Sequence, residues 1–192
     1  MPEENKKQSC SCKKEGVVRE TEIDAYAKQL RLRIKHQIGI LLPNKDHRYA
    51  SAIVEEFLRA ARKYVHIFCG HLGEDVYASR YLDFEDAVER GIDVKVITYE
   101  PYEALQSREL AAYLYEKGCL RWDGTRESVP HFIVADGLMF RLETDSRERT
   151  AVVCAYAQEY EFNRNLAARL DANFDKMWRE ASCQIPSIAV EA

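Results

Sequence analysis

The sequence contains no apolar run long enough to cross a bilayer, and its first twenty residues are charged and polar. A transmembrane helix needs about 20 consecutive apolar residues, and a secretory signal needs an apolar stretch near the N-terminus. We therefore expect no membrane span and a cytoplasmic location. The reducing cytoplasm implies that the six cysteines are thiols rather than a disulfide framework.

An excess of charge of one sign is also missing. The chain has 28 basic and 32 acidic residues among 192, which gives a formal net charge of −4. This balance does not favour broad nucleic-acid binding, although it is compatible with a local basic face. A hydrophobic content of 46% is sufficient for a core, and the length suggests one domain with an appendage.

A cluster of metal-ligating residues is missing as well. Cys10 and Cys12 form a Cys-x-Cys pair, but no second close pair of cysteines or histidines accompanies it. Structural zinc sites draw four ligands from such pairs. We therefore predict no metal site and no cofactor.

Segments with helical periodicity alternate with short apolar runs along the chain. Helices are predicted over 21–40, 48–63, 77–90, 105–117 and 159–182. Strands are predicted over 64–69, 93–98, 120–122 and 151–156, and 41–44 is a linker or a short strand. This alternation predicts an α/β fold. The predicted organisation is a disordered tail over 1–20, a helix and linker over 21–47, a main domain over 48–183 and a loose tail over 184–192.

The stretch VPHFIVADGLMFRLE carries the strongest local signal. Its two apolar runs flank Asp136 and Gly137, which predicts a β-hairpin, because glycine tolerates positive φ and aspartate can bond its own backbone. A hairpin makes the sheet mixed rather than wholly parallel. His131 enters the first strand, while Arg141 and Glu143 leave the second on one shared face. These three residues are a candidate polar site, and the alternative is an ordinary hairpin with solvated charges.

The order of segments from about 48 to 181 resembles one half of a phospholipase D-like domain. The second helix–strand unit reads AVERGIDVKVIT and the last helix reads LDANFDKMW, and both are similar to patterns of that family. The resemblance implies a mixed β-sheet flanked by helices, here with an N-terminal helical extension. It also implies a homodimer, because the halves of the family face each other in pairs.

The catalytic signature of that family is His-x-Lys, four residues, then Asp, followed by Gly-Ser-x-Asn. With the Asp-Gly pair aligned, Val129 stands at the nucleophile position and His131 at the lysine position. With His131 aligned as the nucleophile, Ile133 stands at the lysine position and the aspartate is lost. The segment LETD stands where Gly-Ser-x-Asn belongs, and its acids would repel phosphate. The resemblance therefore implies a degenerate motif.

The predicted function is a non-catalytic module that binds a phosphate-bearing ligand or a protein partner. One alternative is a phosphodiesterase or nuclease in which His131 and Glu143 are catalytic and the fork of Arg141 holds phosphate. Another is a subunit or sensor of a larger assembly that docks through residues 21–40. His71 joins the predicted ligand-binding residues, because α/β proteins place ligands at the carboxyl ends of strands. Nucleic acid is a further predicted partner.

Overall fold

The structure is a computed structural model that describes residues 21–100, 104–105, 108–145 and 150–182. Its helices are α1 (Glu22–His36), α2 (His47–Ala60), α3 (Tyr81–Glu89), α4 (Glu109–Glu116) and α5 (Glu161–Glu180). Its strands are β1 (Leu41–Asn44), β2 (Tyr64–Cys69), β3 (Asp93–Thr98), β4 (Leu120–Trp122), β5 (Phe132–Ala135), β6 (Met139–Asp145) and β7 (Thr150–Cys154). The predicted tails over 1–20 and 184–192, with Cys10 and Cys12, lie outside the described residues.

The strands form one seven-stranded sheet in the order β1-β7-β6-β5-β2-β3-β4. The strands β2, β3 and β4 are parallel, and the remaining pairs are antiparallel. The helices α1 to α4 contribute to the larger core on one face, and α5 covers the other. The predicted α/β fold with a mixed sheet flanked by helices is therefore confirmed.

The hairpin of β5 and β6 forms around the predicted turn. Asp136 and Gly137 have φ values of 56° and 63°, in the left-handed region that these two residue types tolerate. The carboxylate of Asp136 also accepts backbone N–H bonds from Arg62 at 2.8 Å and from Lys63 and Tyr64 at 2.9 Å. One side chain thus closes the turn and fixes the start of β2.

The N-terminal helix α1 shares the core of the domain. The spacing of Thr21 and Asp24 predicts a capping box, and it is confirmed, because the two residues bond each other's backbone N–H groups at 3.1 Å. Tyr26 and Leu30 are buried among the residues of the larger core. The inner side of α1 therefore packs within this chain, and a partner contact through residues 21–40 stays a prediction for its outer side.

The last helix, α5, packs through a narrower stripe than its apolar pattern predicts. Its apolar residues at helical spacing, Phe162 among them, predict one core-facing stripe. Leu170, Phe174 and Met177 are buried against the sheet, but Phe162 is 69% exposed, so the prediction is wrong at Phe162. The buried position in the first turn belongs to Asn163, whose amide donates to Gly39 O at 2.7 Å. Phe162 lies one residue from that stripe, which on a helix is a rotation of about 100° towards solvent.

Candidate functional site

A cavity of about 340 Å³ lies at the carboxyl ends of β2 and β3. It is lined by the start of α2, the loop after β2, the residue after β3, and the hairpin. Here the antiparallel strand β5 pairs with β2, which is itself parallel to β3. The carboxyl ends of parallel strands are where α/β sheets bind ligands. The volume lies at the lower end of the range for small-molecule sites.

The structure brings the four predicted site residues together around this cavity: His71, His131, Arg141 and Glu143. Arg141 and Glu143 are only 5% and 7% exposed. They are therefore not the solvated charges of an ordinary hairpin. The roles assigned to the four residues from the sequence stay predictions.

Glu143, His131 and Tyr99 form a continuous polar chain along one wall of the cavity. Oε2 of Glu143 lies 2.8 Å from Nδ1 of His131, and Nε2 of His131 lies 2.9 Å from the hydroxyl of Tyr99. Burial alone would raise the pKa of Glu143, but hydrogen bonding with His131 and the charges of His131 and Arg141 outweigh it and lower the net pKa. Burial raises the pKa of Tyr99, so its phenol keeps its proton.

His131 stands between a carboxylate and a phenol. Its Nδ1 faces Glu143 and its Nε2 faces the hydroxyl of Tyr99, so each ring nitrogen has one polar neighbour. The sequence reasoning missed Tyr99, although an aromatic hydroxyl directly after a parallel strand is a usable signal.

Gly70 provides the space for the contact between Tyr99 and His131. A Cβ atom at this position would lie 2.5 Å from the hydroxyl oxygen of Tyr99 and 2.8 Å from Nε2 of His131. Both distances are shorter than real Cβ contacts, so a larger residue would displace one ring or the other. The glycine that ends β2 therefore belongs to the architecture of the site.

Arg141 reaches the cavity from the neighbouring part of β6. Its Nε donates to Oδ1 of Asn44 at 2.7 Å, and the amide of Asn44 donates to Asp46 O at 2.8 Å. Among the described residues, no carboxylate lies within ion-pair distance of its guanidinium. The nearby Glu143 is directed to His131 instead. Arg141 is thus a buried cation without a direct ionic partner in the part of the chain that the structure describes.

His71 lies at the rim of the cavity, where its side chain is 61% exposed and 3.8 Å from Glu100. The buried carboxylate of Glu100 accepts the Leu72 N–H at 2.9 Å and pairs with Arg108 at 2.5 Å. This pair holds the loop that follows β2. Sequence alone gives no signal for the role of Glu100, because that role depends on Arg108, which lies outside any recognisable motif.

His66 stands within an apolar strand, which favours a core position over a ligand role, and it is a core residue on the opposite face of the sheet from the cavity. Its Nδ1 lies 3.0 Å from Asp171, and its ring stacks between Tyr64 and Phe174, with both centroids at 4.4 Å. Within the described ranges, no group of three His, Cys, Asp or Glu residues could hold a metal ion. In the same ranges, every helix is too short or too polar to cross a membrane.

Comparison with known proteins finds similarity of fold alone. No family model matches the chain, and no curated protein matches it. Among solved structures, it is similar to TrmBL2, an archaeal chromatin protein whose structure shows a novel mode of DNA binding. The two share 16% sequence identity with a TM-score of 0.57 over 83% of this chain. This chain spans 61% of the length of the TrmBL2 chain.

The function predicted from the sequence, a non-catalytic phospholipase D-like module for a phosphate-bearing ligand or a protein partner, is wrong. The structural comparison leads to a chromatin protein rather than to such a module. The atypical phosphodiesterase alternative belongs to the same prediction and falls with it. The assembly alternative falls as well, while a partner contact through the outer side of residues 21–40 stays a prediction, because the inner side, with Leu30, is buried in the domain. The resemblance to the family itself stays a prediction.

Proposed function

We propose that the cavity binds a small organic acid whose carboxylate pairs with Arg141. One observation carries this proposal: Arg141 is a 5% exposed cation that lines the cavity without a carboxylate partner among the described residues. Burying a charge without a partner is costly, so such a group is usually matched by a ligand or an ion pair. A carboxylate suits the planar fork of a guanidinium, which can donate two parallel hydrogen bonds.

The composition of the cavity favours a single carboxylate over a phosphate. Glu143 and Asp75 line the same space, and their negative charges would repel a dianion. A single arginine balances one negative charge, and the rest of the ligand would contact the polar chain of Glu143, His131 and Tyr99. The volume of about 340 Å³ also suits a small molecule rather than a nucleic-acid segment.

The binding proposal is tested by titrating the protein with acetate, butyrate and hexanoate while recording amide chemical shifts by NMR. We expect saturable shifts at residues around the cavity. The substitution Arg141→Met keeps an unbranched apolar stem but removes the charge, and it should weaken binding by about 10- to 100-fold. Arg164→Met, an exposed site on α5, is the matched control. Equal binding by the two variants contradicts the proposal.

Association with DNA is a second candidate function, favoured by the fold shared with a chromatin protein. The cationic side chains of α1 would make the contact: Lys28, Arg31, Arg33 and Lys35. Electrophoretic mobility shifts of labelled duplex DNA should then weaken steeply as salt is raised. A variant in which all four residues are changed to glutamine should not change the electrophoretic mobility of the DNA. The net charge of −4 makes this interaction weak at physiological salt.

The predicted homodimer is retained as a proposal. The strand β1 is an edge of the described sheet, and Ile40 and Leu41 are 53% and 39% exposed. A second copy would cover this apolar surface. Light scattering should report twice the mass of one chain, and the Leu41→Glu variant should be a monomer. A monomer at micromolar concentration contradicts the proposal.

A further inference from the structure

We infer that the carboxylate of Asp75, at the mouth of the cavity, binds an ammonium group, so that the ligand is an amino acid whose two charges are several carbon atoms apart. This inference rests on the proposed function, since Arg141 is taken to hold the carboxylate of the ligand. It adds the second charged group that the site recognises, and it names the ligand class as a zwitterion.

Two opposite charges in the cavity wall lack ionic partners. Arg141 and Asp75 both line the cavity, and among the described residues neither has an oppositely charged side chain within ion-pair distance. Glu143 and His131 instead face each other at 2.8 Å, so they are matched within the protein. A ligand with one carboxylate and one ammonium matches both Arg141 and Asp75. A simple amine would be repelled by Arg141, and a second carboxylate would be repelled by Asp75.

The loop that carries Asp75 is held by its backbone, while the side chain is exposed. The N–H groups of Tyr77 and Ala78 donate to the carbonyl of Gly73 at 3.0 and 3.2 Å, which closes a turn around Asp75. Tyr77 itself is buried beneath this turn in the larger core. The position of the carboxylate is therefore set by the fold, and a preorganised group costs little to order on binding.

The sheet separates the two charges of the protein. Arg141 lies on β6 and Asp75 follows β2, and β5 lies between these two strands. Neighbouring strands are about 4.8 Å apart, so the backbones of β6 and β2 are about 10 Å apart. Arg141 is also buried while Asp75 is exposed, which places them at different depths in the cavity. We therefore expect an ω-amino acid to bridge them better than an α-amino acid.

The test compares acids that differ only by a terminal amine. The pairs are acetate with free glycine, butyrate with 4-aminobutyrate, and hexanoate with 6-aminohexanoate, titrated while amide chemical shifts are recorded by NMR. The titrations are run at pH 8, above the ordinary titration range of histidine. We expect 6-aminohexanoate to bind about 2- to 5-fold more tightly than hexanoate, as an exposed ion pair allows. Free glycine should gain nothing over acetate, and added salt should reduce the gain of the longer amino acids.

The matched variants are Asp75→Asn and Glu74→Gln. Both remove one exposed carboxylate from the same loop, but only Asp75 lines the cavity. Asp75→Asn should abolish the preference for the aminated acid without weakening the binding of hexanoate, and Glu74→Gln should keep the preference.

The outcomes separate this inference from the proposed function. Equal binding of acid and amino acid at every length, or a preference that survives Asp75→Asn, overturns this inference and leaves the proposed function standing. A gain for free glycine as large as that for 6-aminohexanoate also overturns it, because the two protein charges would then be close together. Absence of binding by every probe up to about 10 mM overturns both.

Discussion

His131 and Glu143 face each other directly across the hairpin, with Nδ1 and Oε2 separated by 2.8 Å. They occupy the position just beyond the pair formed by Phe132 and Leu142, and the Glu143 N–H donates to the His131 carbonyl at 2.9 Å. Cross-strand neighbours of this kind interact more strongly than distant surface charges. Since Glu143 is almost fully buried, the pair stabilises the folded hairpin and also orients the wall of the cavity.

Replacing Glu143 by glutamine should destabilise the protein at neutral pH and much less in acid. The folded state lowers the pKa of this carboxylate, so its contribution is present above the unfolded value and is lost as the pH falls through the folded value. We expect Glu143→Gln to lower the free energy of unfolding by about 1–3 kcal/mol at pH 7. Urea unfolding at pH 7 and at successively lower pH measures the difference, which should shrink as the carboxylate becomes protonated. A deficit that persists undiminished in acid contradicts the assignment.

Adding a single methyl group at Gly70 should disrupt the site. The new Cβ would lie 2.5 Å from the Tyr99 hydroxyl, so Gly70→Ala should lower the free energy of unfolding by about 1–3 kcal/mol. The matched control is Gly73→Ala in the following loop, where the new Cβ would lie 4.0 Å from its nearest non-neighbouring atom, Nη1 of Arg108. Thermal unfolding should separate the two variants by several degrees. Equal melting temperatures would mean that the Tyr99–His131 contact is not tight.

The turn aspartate should matter beyond the turn itself. Asp136→Ala removes the acceptors of the N–H groups of Arg62, Lys63 and Tyr64 and places alanine at a φ of 56°. We expect a loss of about 2–4 kcal/mol in the free energy of unfolding. Asp136→Asn tolerates the left-handed backbone and keeps one oxygen acceptor, so it should cost clearly less. Chemical denaturation of both variants tests this, and an equal cost would mean that neither the left-handed backbone nor a single remaining oxygen acceptor accounts for the effect.

The part of the site that lies on one hairpin could be predicted from the sequence, and the part assembled from distant segments could not. The Asp-Gly turn sets the register, so the convergence of His131 and Glu143 follows from local spacing. Tyr99 reaches the cavity from the end of β3, and Asn44 holds Arg141 from β1, and single-sequence patterns do not encode which strands become neighbours. The crowding at Gly70 could not be predicted either, because it depends on the same distant rings.

The two phenylalanines of α5 should differ sharply in their contribution to stability, although the apolar pattern of the sequence treats them alike. Phe174 is fully buried and stacks on His66 at 4.4 Å, so Phe174→Ala should cost about 3–5 kcal/mol through lost contacts and a cavity. Phe162 is 69% exposed in the first turn, and Phe162→Ala should change the free energy of unfolding by less than about 0.5 kcal/mol. Urea unfolding at pH 7 measures both variants under the same conditions. A large loss at Phe162 would mean that another surface covers this side chain in solution. Repeating the measurement at several protein concentrations would show whether that surface belongs to the second copy of the proposed homodimer.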